Sequence, residues 1–269
     1  MRMQCAKLII HWHVSISMPN AIVSAASSGI GKGIASVLSR SGYRLTLFAR
    51  DEKRIDEARK ELKLKFGLEP LAIPADLSKP EDIDRVVKKH RETYGSIENL
   101  VINYGDPRVA GFTDLSDEDW QYAIDMIFMS TVRITREALK DMIRARHGSI
   151  VYVTSMTVRE PMEGFSLSSS LRSAVVALAK NISLEVSKFG IRINTISQGY
   201  INTERLRDVI KTGVDRTEGM RRLSGDVPLR RVGDPEEIGE VVEFLLSSRA
   251  SYVNGANIPV DGGITKFPL

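Results

Sequence analysis

The stretch AIVSAASSGIGKGIASVLSR, residues 21–40, decides the fold. Ala21 to Ser24 form a short β-rich run, small residues follow from Ala25 to Gly33, and a helical pattern takes over. A strand that turns through small residues into a helix lets a ligand approach the backbone closely. It also offers that ligand free N–H groups and the positive end of a helix dipole, which suits a pyrophosphate. A glycine-rich run alone equally fits a plain tight turn, so the rest of the chain has to discriminate.

Outward from this turn, β-rich runs alternate with longer amphipathic ones, the pattern of a parallel sheet covered by helices on both faces. Strands are expected at Ala21 to Ser24, Arg44 to Phe48, Pro70 to Pro74, Asn99 to Asn103, Ser149 to Thr154, Ile191 to Ile196 and Asn257 to Val260. Helices are expected near 30–41, 52–66, 80–94, 117–145, 166–188 and 235–247, with start signals at Ser116-Asp117-Glu118 and Asp234-Pro235-Glu236. The fold class is therefore α/β, a Rossmann-type doubly wound parallel sheet of about seven strands, and residues 18–269 form one domain. Residues 201–232, charged and carrying Gly213, Gly219 and Gly225, read as a less regular segment in the position of a substrate lid.

Bulk properties narrow the function classes. The chain has 269 residues, 38 basic against 34 acidic, and 42% hydrophobic residues. Its basic pairs are scattered and interrupted by acids, which fits solvated helix faces rather than nucleic-acid binding. One cysteine, Cys5, excludes an intrachain disulfide framework, and His11, His13, His90 and His147 are too dispersed for a metal cluster. A reducing cytoplasm is the default compartment, and no stretch has the apolar length of a membrane span. Residues 1–17 resemble a weak signal peptide interrupted by two histidines, and read as an extension or a misassigned start before Met18, with an extra edge strand as the alternative.

Five motifs resemble those of the short-chain dehydrogenase/reductase family. SAASSGIG (24–31) is similar to its TGxxxGxG fingerprint, with Ser24 and Ala25 replacing the threonine and first glycine. ADLS (75–78) resembles its adenine-contacting motif and VINYG (101–105) its NNAG motif. PLRRVGDPEEIGEVVEFLLS (228–247) and ASYVNGANIPVDGG (250–263) resemble its C-terminal signature. The resemblance spans residues 19–265 and is strongest for 3-oxoacyl carrier-protein reductases and sugar or alcohol dehydrogenases.

By position, the resemblance implies that Ser24, Ser27, Gly29, Ile30 and Gly31 cradle the pyrophosphate, that Asp76 and Leu77 flank the adenine, and that Asn103 and Gly105 line the ribose. Ile201 and Thr203 correspond to positions that contact the carboxamide. Arg50, at the end of the second strand, suits the 2′-phosphate of NADP better than the 2′-hydroxyl of NAD, because guanidinium bonds phosphate oxygens in pairs. The implied partners are a carbonyl or alcohol substrate and further copies of the chain in a homo-tetramer or homo-dimer.

The catalytic positions depart from the family pattern. Aligning on SAVVALAKNISLE (173–185) puts Ser168 where the family has its proton-donating tyrosine and Arg172 at the lysine four residues on, on the same helix face. Ser155 matches the substrate-orienting serine, and Ile127 falls at the asparagine that supports a relay water. Serine is a far weaker acid than a phenol, and arginine is not an interchangeable lysine, although it can still bind ribose hydroxyls. Three readings follow: an NADP-dependent oxidoreductase with a displaced donor, from Tyr104, Tyr200 or Tyr152; a dinucleotide-binding sensor or non-catalytic subunit; or a different reaction on an anionic substrate.

Overall fold

A computed structural model of the chain describes residues 18–210 and 216–266. Residues 1–17, for which an extension or edge strand was one expectation, lie outside the described residues. Seven strands form one sheet: β1 (Asn20–Ser24), β2 (Arg44–Ala49), β3 (Leu71–Pro74), β4 (Asn99–Ile102), β5 (Gly148–Val153), β6 (Ile191–Gln198) and β7 (Asn257–Val260). Their order is β3-β2-β1-β4-β5-β6-β7 and every pairing is parallel. All seven sequence expectations match these strands to within two residues.

Alternation along the strands divides the core into two layers. Ile22, Leu100, Ile102, Ile150 and Tyr152 face α3 (Pro80–Tyr94), α5 (Ser130–Ala145) and α6 (Ser166–Val186). Their neighbours Ala21, Val23, Val101, Val151 and Val153 face α1 (Gly29–Arg40), α2 (Glu52–Phe66) and α9 (Pro235–Leu246). A sheet buried on both faces needs such near-continuous apolar strands. The chain direction across the sheet reverses between β1 and β4, and in sheets of this type the crevice beyond the strand ends at that point receives ligands.

Two expectations are corrected. The expected helix 117–145 is α4 (Asp117–Ala123) and α5 separated by a π-helical stretch, Ile124–Met129. There the Ser130 hydroxyl donates to the Met126 carbonyl (2.6 Å) and the Thr131 hydroxyl to the Ile127 carbonyl (2.6 Å), taking oxygens of the helix ladder and widening it. Second, the segment 201–232 is largely helical, with α7 (Glu204–Ile210) and α8 (Arg216–Asp226); residues 211–215 within it lie outside the described ones. Among the described residues, no helix is long and apolar enough to cross a membrane.

A buried polar network ties the N-terminal ends of β1 and β2 to α3. The Asn20 side-chain oxygen accepts from the Glu98 N–H (3.1 Å), so His90 Nε2, 3.0 Å away, carries the proton and donates to it. His90 Nδ1 then accepts from the Thr46 hydroxyl (2.8 Å). Burial disfavours the imidazolium and pushes the His90 pKa down from 6.5 to about 4. The unfolded chain holds that proton more tightly, so stability present above pH 6.5 is lost as pH falls towards 4. The loss from this group is roughly 3 kcal/mol. Denaturant midpoints measured across that window should fall more steeply for the parent than for His90→Gln; equal slopes would contradict the assignment.

Candidate active site

The turn after β1 is built for a close approach. Gly29 has a φ of +51°, and a Cβ on Gly31 would stand 2.1 Å from the Ala25 carbonyl oxygen. Asp51, Ser116 and the Asp234 capping box satisfy the first turns of α2, α4 and α9, whereas Ser28, the N-cap of α1, makes no side-chain cap bond. The N–H groups at the start of α1 therefore remain for a ligand, and the helix dipole favours an anion there. These features fit a dinucleotide pyrophosphate.

Ala25 itself sits in the left-handed region, with φ +48°. An L-residue with a Cβ is strained there by about 1 kcal/mol, which glycine avoids at some entropic cost. Ala25→Gly is expected to stabilise the fold by roughly 0.5 kcal/mol, read as a raised denaturant midpoint at constant slope. A lowered midpoint would show that the alanine is not strained.

One continuous cavity of about 720 Å³ opens beyond the strand ends. Ser27, Gly29, Ile30, Arg50, Asp76, Leu77, Asn103 and Gly105 line it on one side, and Ser155, Ser168, Arg172, Tyr200, Ile201 and Thr203 on the other. Of the residues expected at the site, Ser24, Gly31, Ile127 and Tyr152 do not line it. Ser24 is fully buried and its hydroxyl donates to the Asn103 carbonyl (2.7 Å) and accepts from the Asn103 N–H (2.9 Å). It thus fastens the end of β1 to the end of β4 instead of touching a ligand. Gly31 acts one step back, by letting the helix pack on the Ala25 carbonyl. Ile127 is fully buried, its side chain carries no polar atom, and its carbonyl accepts from the Thr131 hydroxyl.

Arg172 is held from five directions although only 5% exposed. Its Nε donates to Ser168 Oγ (3.1 Å), and its terminal nitrogens reach the Val153 carbonyl (3.2 Å), the Gly105 carbonyl (3.5 Å) and the Asp106 carboxylate (3.7 Å). Its guanidinium carbon lies 5.3 Å from the centre of the Tyr104 ring, a cation–π contact. Burial pushes its pKa down, with Asp106 and Tyr104 opposing. The sequence did not point to Asp106, which the turn after β4 brings to the active-site helix.

The three tyrosines expected as surrogate donors separate clearly. Tyr104 spends its hydroxyl on Thr131 Oγ1 (2.6 Å), and Tyr152 spends its own on Thr135 Oγ1 (2.8 Å) in the core. Burial raises the pKa of both, against the need of an acid. Tyr200 lines the cavity half-buried, and burial raises its pKa as well.

The serines are better disposed. Ser155 Oγ accepts from the Thr157 N–H (3.2 Å) and hydroxyl (3.1 Å), and Ser168 Oγ accepts from Arg172. Among the described residues neither hydroxyl donates to a protein acceptor, so both line the cavity with protons to give.

The fold and this site are those of a dinucleotide-binding oxidoreductase, and the chain belongs to the short-chain dehydrogenase/reductase family. Residues 24–265 match the family model described as enoyl-(acyl carrier protein) reductase. The chain is 34% identical over 251 residues to the oxidoreductase UcpA of Salmonella typhimurium, covering 91% of this chain and 94% of that one. It is 32% identical over 244 residues to the 3-oxoacyl-[acyl-carrier-protein] reductase FabG of Chlamydia muridarum, covering 91% and 96%. Among solved structures, L-sorbose reductase from Gluconobacter frateurii complexed with NADPH and L-sorbose superposes with a TM-score of 0.90 at 31% identity, over 94% of this chain and 98% of that one.

Proposed function

We propose that the chain is an NADP(H)-dependent carbonyl reductase whose proton donor is a serine. The carrying observation is the pair of unspent hydroxyl protons on Ser155 and Ser168, facing one cavity beside Arg172. NADPH held by the residues named below would supply the hydride that the carbonyl carbon accepts. Ser155 and Ser168 donate hydrogen bonds to the carbonyl oxygen, and Ser168 passes its proton to that oxygen as negative charge develops there. Arg172, a permanent cation, stabilises the serine oxygen left behind until solvent water returns its proton, and offers a donor to ribose hydroxyls. Ser27, Gly29 and Ile30 hold the pyrophosphate, Asp76 and Leu77 the adenine, Asn103 and Gly105 the ribose, and Ile201 and Thr203 the carboxamide. Arg50 receives the 2′-phosphate, and α7 with α8 forms the substrate lid.

The NADP preference draws support from NADPH in the L-sorbose reductase complex and in a solved actinorhodin polyketide ketoreductase, 28% identical with a TM-score of 0.89 over 93% of this chain and 98% of that one. The preferred setting is a reducing cytoplasm, with the chain as a homo-oligomer. Serine donation is slow because its hydroxyl is so weak an acid. Steady-state assays with NADPH and a carbonyl panel test the reading. Ser168→Ala is expected to lower kcat at least tenfold while NADPH affinity holds. Undiminished turnover would remove Ser168 and leave Tyr200 as donor.

A second reading, a dinucleotide-binding sensor or non-catalytic subunit, is favoured by the apolar Ile127 and by an Arg172 already engaged by the protein. NADPH binding with no turnover on any carbonyl would select it.

A further inference from the structure

The cavity wall contains a second cation near the Gly-rich turn, Arg54, on the first turn of α2. Its guanidinium forms an ion pair with Glu204, the first residue of α7. That pair bridges the two sides of the cavity: α2 follows β2, just beyond whose end Arg50 stands, whereas α7 begins the segment after β6 on the other side. A neighbouring hollow of about 550 Å³ shares Ser27, Ser28, Arg54 and Glu204 with the main cavity. Arg54 thus stands where the two hollows meet, beside the serines of the turn. Arg50, the other cation at this end, donates to the Tyr122 hydroxyl (2.8 Å) and lines only the main cavity. Both partners of the Arg54 pair are well exposed, with side chains 43% and 67% accessible, so water and an incoming anion can reach them.

Resting on the NADP reading above, we infer that Arg54 is a second anchor for the dinucleotide's 2′-phosphate and that Glu204 is its built-in competitor. A phosphate carries more charge than a carboxylate and presents three acceptor oxygens, so it can draw the Arg54 fork away from Glu204. The exchange frees the start of α7 from α2, so that occupancy of the 2′ position is communicated to the helix at the substrate end. A dinucleotide with only a 2′-hydroxyl has no charge with which to displace the carboxylate, and it leaves the bridge closed. A guanidinium stays protonated with or without its carboxylate partner, so the arm keeps its charge throughout the exchange.

Calorimetric titration of the full chain with NADPH and with NADH tests this. Glu204→Gln keeps the side chain's shape and removes the competing charge; it is expected to bind NADPH roughly two- to fivefold more tightly, the range set by an exposed ion pair, with NADH affinity unchanged. Arg54→Gln is expected to weaken NADPH roughly tenfold and to leave NADH unaffected. In the double variant the Glu204 effect should vanish, because the guanidinium it competes for is gone. No NADPH gain in Glu204→Gln, or equal shifts for both nucleotides, would overturn the inference. A parent chain that prefers NADH, with an NADPH-selective gain in Glu204→Gln, would uphold the pair and remove the NADP assignment. Failure to bind either nucleotide would overturn both.

Discussion

The double variant Ser168→Tyr, Arg172→Lys is expected to reduce carbonyl substrates at least a hundredfold faster than the parent chain. The argument is one of acidity. A phenol has an ordinary pKa near 10 and a neighbouring ammonium lowers it, whereas a serine hydroxyl stays far less acidic even beside a guanidinium. Each unit of mismatch in a proton transfer costs up to about 1.4 kcal/mol, or a factor of ten in rate. The two residues already meet, since Arg172 Nε lies 3.1 Å from Ser168 Oγ, and Ser155 lines the same cavity. Replacing the large buried guanidinium with lysine opens room beside a new phenol. Single-turnover rates with NADPH separate chemistry from binding. No gain in the double variant, with NADPH affinity intact, would mean that the pocket is not arranged for hydride transfer.

The second large effect is expected at the turn. Gly31→Ala would put a Cβ 2.1 Å from the Ala25 carbonyl oxygen and 3.0 Å from the Ala26 Cα. Both are backbone atoms and neither can swing aside, so the turn must shift as a unit. A stability loss of roughly 2 kcal/mol is expected from overpacking. NADPH affinity should fall at least tenfold, because the free N–H groups of α1 move with the turn. Gly42→Ala is the control: that glycine also has a positive φ, +80°, but nothing lies within 4 Å of the point its methyl would occupy, so it should lose about 1 kcal/mol and keep its NADPH affinity. Unchanged affinity in Gly31→Ala would detach the turn from the cofactor.

Much of the architecture was legible in the residues themselves. Strands such as Leu45 to Phe48 and Ile150 to Val153 are apolar on both faces apart from the hydroxyls of Thr46 and Tyr152, because both faces of the sheet are covered, and that pattern needs no partner to be recognised. The π-helical stretch was hidden, because it depends on where the Ser130 and Thr131 hydroxyls bond and not on a change of hydrophobic period. The helices α7 and α8 were hidden for another reason: their charges and glycines mask any apolar stripe.

At the site, what is local in sequence was readable and what the fold assembles was not. Ser168 and Arg172, four residues apart on one helix face, had to meet. Ser24, read as a ligand contact from the motif, proves to be a strand-to-strand fastening, since its hydroxyl is fully engaged by Asn103. Tyr104 does stand at the cavity, but its hydroxyl direction depends on Thr131, which lies 27 residues away. The pairing of Arg54 with Glu204, 150 residues apart, leaves no local trace, and neither does that of Asp106 with Arg172.

Titration of the full chain with NADPH, followed by heat or by nicotinamide fluorescence, tests the central claim most directly. Saturable binding of one NADPH per chain, tighter than that of NADH, is the predicted result. The absence of binding by either nucleotide would contradict the account, because the uncapped start of α1 and the cavity beyond it would then serve some other ligand.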